Sequence, residues 1–270
     1  MKKVVKFFGV MMVLFLLGAC TIPKNEESNE EKKKIKIACN QVSEIVLNAA
    51  KKDMEEKGYA PEFVVFSNNI ESLEAVNSGD VDAAFAQHKP FVQSFNQQKN
   101  GDLELIKPYV YYTGIGLYSD KYKKLEEIPD NAKIAIMNDA MNRDNALKML
   151  QDAGLISLTS DKKTGYTILD IEKNPKNIEF IEIEQAQTVR SLEDLDGAVC
   201  FFTFMFKAGR DFNDYLVRDQ NASEFPSSLI VKKENADKKW AEEMNASLLT
   251  ERSKKAINDH FKGVYTFYEN

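Results

Sequence analysis

The chain has 270 residues, 43% of them hydrophobic, and a formal net charge of −6 at pH 7, enough apolar material for a sizeable core. Its acidic, mixed-sign surface argues against nucleic acid as a partner, because no basic block outside Glu31 to Lys36 tracks phosphates. Apart from Cys20, the only cysteines are Cys39 and Cys200; with His88 and His260 they are scattered singly, a pattern that points to no metal site, no cofactor and no fold dominated by disulfides.

The chain opens with Lys2, Lys3 and Lys6, an apolar run from Phe7 to Leu17, and then Leu17-Gly18-Ala19-Cys20. A basic start, an apolar stretch too short to span a membrane comfortably and small residues at the cut predict a secretory signal peptide over residues 1–19. The cysteine makes the cut a lipobox. Cleavage leaves Cys20 as the mature N-terminus, carrying a diacylglyceryl thioether and an amide-linked acyl chain that hold a soluble domain at the extracytoplasmic face of the cell membrane. Loss of three lysines with the signal takes the net charge from −6 to −9. Residues 20–34 are mostly Glu, Lys, Asn and Ser and predict a flexible tether. About 236 residues from Ile35 onward remain, enough for a two-lobed α/β protein.

From Ile35, short strand-like runs alternate with helix-period stretches, the signature of repeated β-α units and a largely parallel sheet. Ile35 to Cys39 reads as a strand; Ser43 is the expected cap of a helix burying Val46, Ala49, Ala50 and Met54 and ending at Gly58. Glu62 to Phe66 reads as a strand, Glu71 to Ser78 as a helix closed by Gly79, and Val81, Ala83 and Phe85 as an alternating strand. Pro90 suits the first turn of the next helix. Tyr109 to Ser119 is a β-rich run able to carry the chain to a second lobe, where Lys133 to Met137, Ile178 to Ile183 and Gly197 to Phe201 are strand candidates. Asn142 is the expected cap of a helix running to Ala153, and Thr188 to Leu192 reads as a short helix. Ser228 to Val231 looks like a strand returning to the first lobe, ahead of a helical region from Asp237 to Phe261. Phe201, Phe202, Phe204 and Phe206 fit the core face of a strand. The expected division is residues 35–112 and 226–270 for lobe 1 and residues 113–225 for lobe 2. Two crossings enclose a cleft, and the loops after Cys39, Phe85, Met137 and Phe201 are where a ligand is expected.

The segment Gly79-Asp80-Val81-Asp82-Ala83-Ala84-Phe85-Ala86-Gln87-His88-Lys89-Pro90-Phe91 resembles the methionine-binding lipoprotein family, the substrate-binding components of ABC importers. Gly116 to Ser119, Leu125 to Pro129, Asn138-Asp139, Asn142, Ala146-Leu147, Asn174 to Asn177, Ala186-Gln187 and Arg190 recur in family order. The resemblance implies a periplasmic-binding-protein fold that closes on its ligand by hinge motion. It implies a small-molecule ligand, and as partners an ABC permease, with the ATPase engaged indirectly.

An amino-acid ligand needs an arginine or helix amides for its carboxylate, polar acceptors for its ammonium and aromatic walls for its side chain. Carried over by the resemblance, the ligand-facing set is Asn69, Phe85, Ala86, His88, Phe91, Asn138, Asn142, Asn145, Phe201, Thr203 and Ser227. Several depart from the family pattern. Its arginine falls at Asn145, and Arg143 is about 200° away around the helix. An aromatic falls at Ala86, tyrosines at Phe91 and Asn69, and asparagines at Phe201, Thr203 and Ser227. These changes imply methionine or a related amino-acid-like or less charged metabolite as cargo. Two other readings are a surface lipoprotein with an adhesin or interaction role, and an enzyme pairing the Cys39 thiol with His88; packing is the expected role of Cys39.

Overall fold

The computed structural model describes residues 32–162 and 164–269; the signal peptide, the lipobox and the tether up to residue 31 lie outside the described residues. In chain order the elements are β1 (Lys33–Cys39), α1 (Gln41–Glu56), β2 (Tyr59–Val65), α2 (Asn69–Ser78), β3 (Ala83–Phe85), α3 (Lys89–Lys99), β4 (Leu103–Leu105), β5 (Tyr111–Tyr112) and β6 (Ile115–Tyr118). Then come β7 (Lys133–Met137), α4 (Ala140–Asp152), β8 (Ser157–Leu158), β9 (Ile171–Lys173), β10 (Glu179–Ile183), β11 (Gly197–Phe201) and α5 (Phe202–Lys207). The chain closes with β12 (Val217–Arg218), β13 (Ile230–Lys232), α6 (Lys239–Leu248), α7 (Glu251–Phe261) and β14 (Thr266–Phe267).

Two five-stranded sheets result, in the orders β2-β1-β3-β13-β4 and β10-β7-β11-β6-β12. Each is mixed rather than largely parallel. The β1/β2, β1/β3, β7/β10 and β7/β11 pairs are parallel, whereas β13 runs antiparallel to β3 and β4, and β6 antiparallel to β11 and β12. The reason is the route of the chain. Strands joined through helices end at the cleft, while β6 and β13 arrive from the other lobe, start at the cleft and therefore run the opposite way. Pro61 is tolerated because β2 is an edge strand, where a missing N–H breaks no ladder.

Two expected caps shift by one turn. Asn40, not Ser43, caps α1, its Oδ1 accepting from the backbone N–H groups of Val42 and Ser43; Ser43 is buried one turn in. Asp139, not Asn142, caps α4. In both cases a polar residue within two positions of the strand end is in extended backbone and takes the cap first. The phenylalanine run also differs from expectation. The strand stops at Phe201, and Phe202, Thr203, Phe204, Met205 and Phe206 form helix α5, which sends Phe202 and Met205 into the core. The expected terminal helical region is two helices, α6 and α7, with Thr250 capping the second.

Apolar packing runs without a break from Ile35, Ile37, Val46 and Met54 in the first lobe through Tyr111 and Tyr265 to Tyr118, Cys200 and Phe202 in the second. At the crossing, the Tyr111 and Tyr265 rings stack at 4.1 Å, and Phe85 meets Tyr111 edge-on at 5.6 Å. An aromatic joint thus sits at the floor between the two sheets.

Candidate functional site

A cleft of about 560 Å³ lies where the carboxyl ends of β1, β2, β3, β7, β10 and β11 face one another. Its walls come from the loop and first turn after each of these strands: Asn40 to Ser43, Phe66 to Ile70, Ala86 to His88, Asp139 and Asn142, Glu184 to Ala186, and Phe201, Thr203 and Phe204. Tyr111, Thr113, Ser227 and Tyr265 form the side where the chain crosses between the sheets.

His88 is the pivot. It caps α3, and its Nδ1 accepts from the backbone N–H of Phe91 at 3.2 Å, which places the ring proton on Nε2. Nε2 lies 3.0 Å from Asn142 Oδ1 across the cleft. Asn142 in turn donates from Nδ2 to Asp139 Oδ2 at 2.9 Å, fixing the amide so that its oxygen faces His88. Burial holds the His88 pKa below the usual histidine value, outweighing the opposing pull of Asn142 and Asp139. The imidazole is therefore a neutral donor, boxed edge-on by Phe91 and Phe225 at 6.1 and 5.1 Å. A second contact crosses the cleft at its rim, where Lys207 Nζ donates to Gln41 Oε1 at 2.7 Å.

Of the residues expected to face ligand, Asn69, Ala86, His88, Phe91, Asn142, Phe201, Thr203 and Ser227 line the cleft. Ser227 is held there by backbone pairing with Tyr111 and a bridge to His88. Phe85, Asn138 and Asn145 are outside the lining. Phe85 is fully buried under Tyr111, Asn138 is exposed and ties its backbone N–H to Ile183, and Asn145 is buried in the second turn of α4. Arg143 is turned away, its guanidinium 2.6 Å from Glu182 Oε1. Cys39 is completely buried in the core, outside the lining.

Sequence reasoning missed Phe66, Gln87, Tyr111, Thr113, Glu184, Gln185, Phe204, Lys207 and Tyr265. A usable signal existed for two groups of them. Phe66 and Glu184 directly follow strands of the parallel set, so the rule that pointed to the loops after Cys39 and Phe85 extends to them. Tyr265 carried none, because it arrives from the far end of the chain.

Over residues 35–266 the chain matches the family model described as NlpA lipoprotein. It is 32% identical over 218 residues to a methionine-binding lipoprotein of Bacillus subtilis, covering 79% of this chain and 78% of that one. The solved substrate-binding protein of a methionine transporter from Streptococcus pneumoniae superposes with a TM-score of 0.81 at 31% identity, over 87% of this chain and 96% of that one. A nutrient-binding protein from Burkholderia cenocepacia, solved bound to methionine, superposes with a TM-score of 0.80 at 29% identity, over 87% of this chain and all of that one. The two facing sheets, the cleft at their carboxyl ends and these matches along most of the chain have one reading: the fold is the two-lobed periplasmic-binding-protein architecture, and the chain belongs to the NlpA lipoprotein family.

Proposed function

We propose that this chain is the membrane-anchored substrate-binding lipoprotein of an ABC importer, and that it takes methionine or a related amino-acid-like or less charged small metabolite into its cleft. The observation that carries this reading is the cleft, built from the strand ends of both sheets and bridged by His88 and Asn142. Its size suits a metabolite rather than a polymer. The names of the relatives support the same class of cargo.

In this reading, residues 35–112 with 226–270 and residues 113–225 move as two bodies about the crossing strands. Phe91, Phe201 and Phe204 pack on an apolar ligand tail, while Asn69, Asn142, Thr203 and Ser227 supply polar contacts. Closure brings His88 to Asn142 and shields the ligand until the permease opens the lobes. The lipid on Cys20 keeps the receptor beside its transporter, which raises local concentration without any new contact.

Two measurements test this. Calorimetry with L-methionine and methionine-like compounds is expected to show one saturable site; no heat with any of them contradicts the ligand class. Cys20→Ala is expected to release the protein from membranes or block its processing, and an unchanged lipidated, membrane-bound product contradicts the anchor.

A further inference from the structure

Gln87 lines the cleft in the loop between β3 and α3 and is 3% exposed. Its Nε2 donates to Ser72 Oγ at 2.9 Å and to Asn69 Oδ1 at 3.3 Å. Ser72 already gives its hydroxyl proton to the backbone carbonyl of Asn69 at 2.8 Å, so toward Gln87 it offers lone pairs only. The amide must therefore turn its nitrogen toward α2, which leaves Oε1 on the other side. Among the described residues, Oε1 of Gln87 is the buried side-chain polar atom without a hydrogen-bond partner. Buried amide oxygens are almost always paired, and an orphan in a cleft wall marks the place where a ligand brings the donor.

The charges in the cleft agree. Its ionisable lining is Asp139, Glu184, neutral His88 and Lys207, and Lys207 is exposed at the rim with its ammonium already on Gln41. No arginine is among the lining residues, and Arg143 is spent on Glu182. The starts of α1, α2, α3 and α4 at the cleft are capped by Asn40, Asn68, His88 and Asp139, which take first-turn N–H groups that an anion would use; the six-residue α5, which starts at the cleft without a side-chain cap, is too short for a strong N-terminal dipole.

We propose that Gln87 determines specificity: its Oε1 accepts from an ammonium or amide N–H on the head of the ligand, and a ligand carboxylate adds little to binding. This rests on the methionine-like reading above. The mature protein is dialysed free of small molecules and titrated with three probes. L-Methionine has both head groups, L-methioninamide keeps the nitrogen and loses the carboxylate, and 4-(methylsulfanyl)butanoate keeps the carboxylate and loses the nitrogen.

Methioninamide is expected to bind within about tenfold of methionine, and the butanoate more than about tenfold weaker than methioninamide. Gln87→Met is expected to bring methioninamide and the butanoate to within about threefold of each other. Because this is a ratio of two ligands on one sample, a variant that folds only in part still reports it. A larger loss on removing the carboxylate than on removing the nitrogen, or a ratio that survives Gln87→Met, overturns the inference while leaving the methionine-like reading standing. Failure of all three probes to bind the wild-type protein overturns that reading and the inference together.

Discussion

His88 Nε2 lies 3.0 Å from Asn142 Oδ1, so the start of α3 in one lobe is hydrogen-bonded to the first turn of α4 in the other. The bond is fixed at both ends, by the Phe91 N–H on Nδ1 and by Asp139 on the Asn142 amide. It therefore has one tautomer and one amide orientation available to it, and in the proposed hinge motion it is a contact that closure makes.

Removing it loosens closure. In Asn142→Ala the bridge is lost together with a partner of Asp139, and a net hydrogen bond of about 1 kcal/mol corresponds to roughly five- to tenfold weaker ligand binding. The loss is expected as faster dissociation in stopped-flow measurements, with a larger radius of gyration for the ligand-free protein by small-angle scattering.

The His88 ring that makes this bridge is pH-sensitive through its burial and through Nδ1, which on protonation can no longer accept from the Phe91 N–H. Burial holds the His88 pKa below its usual 6.5, so the closed form is fully supported above about 6.5 and loses support as the pH falls below that toward the lowered value. Ligand dissociation is expected to accelerate as the pH falls below about 6.5, and His88→Gln, which keeps a donor and cannot titrate, is expected to flatten the profile.

Asp219 gives the opposite sign. Its carboxyl sits where the chain crosses between lobes, accepting from the Ile115 N–H at 3.3 Å, and burial raises its pKa to about 6. Between the unfolded value near 3.8 and 6 the unfolded chain ionises first, so this group's stabilising contribution is present at low pH and is lost as the pH rises through 6. Asp219→Asn keeps the acceptor and removes the titration. It is expected to stabilise the protein by about 2 kcal/mol in urea melts near pH 8, with the gain vanishing toward pH 4.

Cys39 and Cys200 are free and fully buried. Burial, with the Glu44 carboxylate second, pushes the Cys39 thiol up to about 12, and burial pushes Cys200 to a similar value. Neither is a nucleophile at neutral pH. Iodoacetamide is expected to leave both unlabelled in the native protein and to label both in denaturant, as read by mass spectrometry; native labelling of Cys39 would revive a thiol chemistry.

Much of the fold was legible because local signals were strong. Lys133–Met137 and Gly197–Phe201 read directly as strands, and Gly79 and Gly154 occupy the positive-φ positions that end α2 and α4. The loops after Cys39, Phe85, Met137 and Phe201 all reach the cleft. What escaped was set by distance or competition. Asn40 and Asp139 outcompeted Ser43 and Asn142 as caps, and the period-two spacing of Phe202, Phe204 and Phe206 concealed a six-residue helix. Gln87 was visible within its motif, but its significance depends on Ser72, fifteen residues away, which no local pattern reports.

The most direct test of a receptor cleft is what it carries. Protein purified without added ligand is unfolded, and the released small molecules are identified and counted by mass spectrometry, alongside Thr203→Trp, which fills the cleft at a lining position. The account predicts a methionine-like compound bearing a nitrogen donor, near one per wild-type protein after supplying it in the growth medium, and absent from Thr203→Trp. Equal amounts in both proteins, or none in the wild type even after incubation with such compounds, would contradict it.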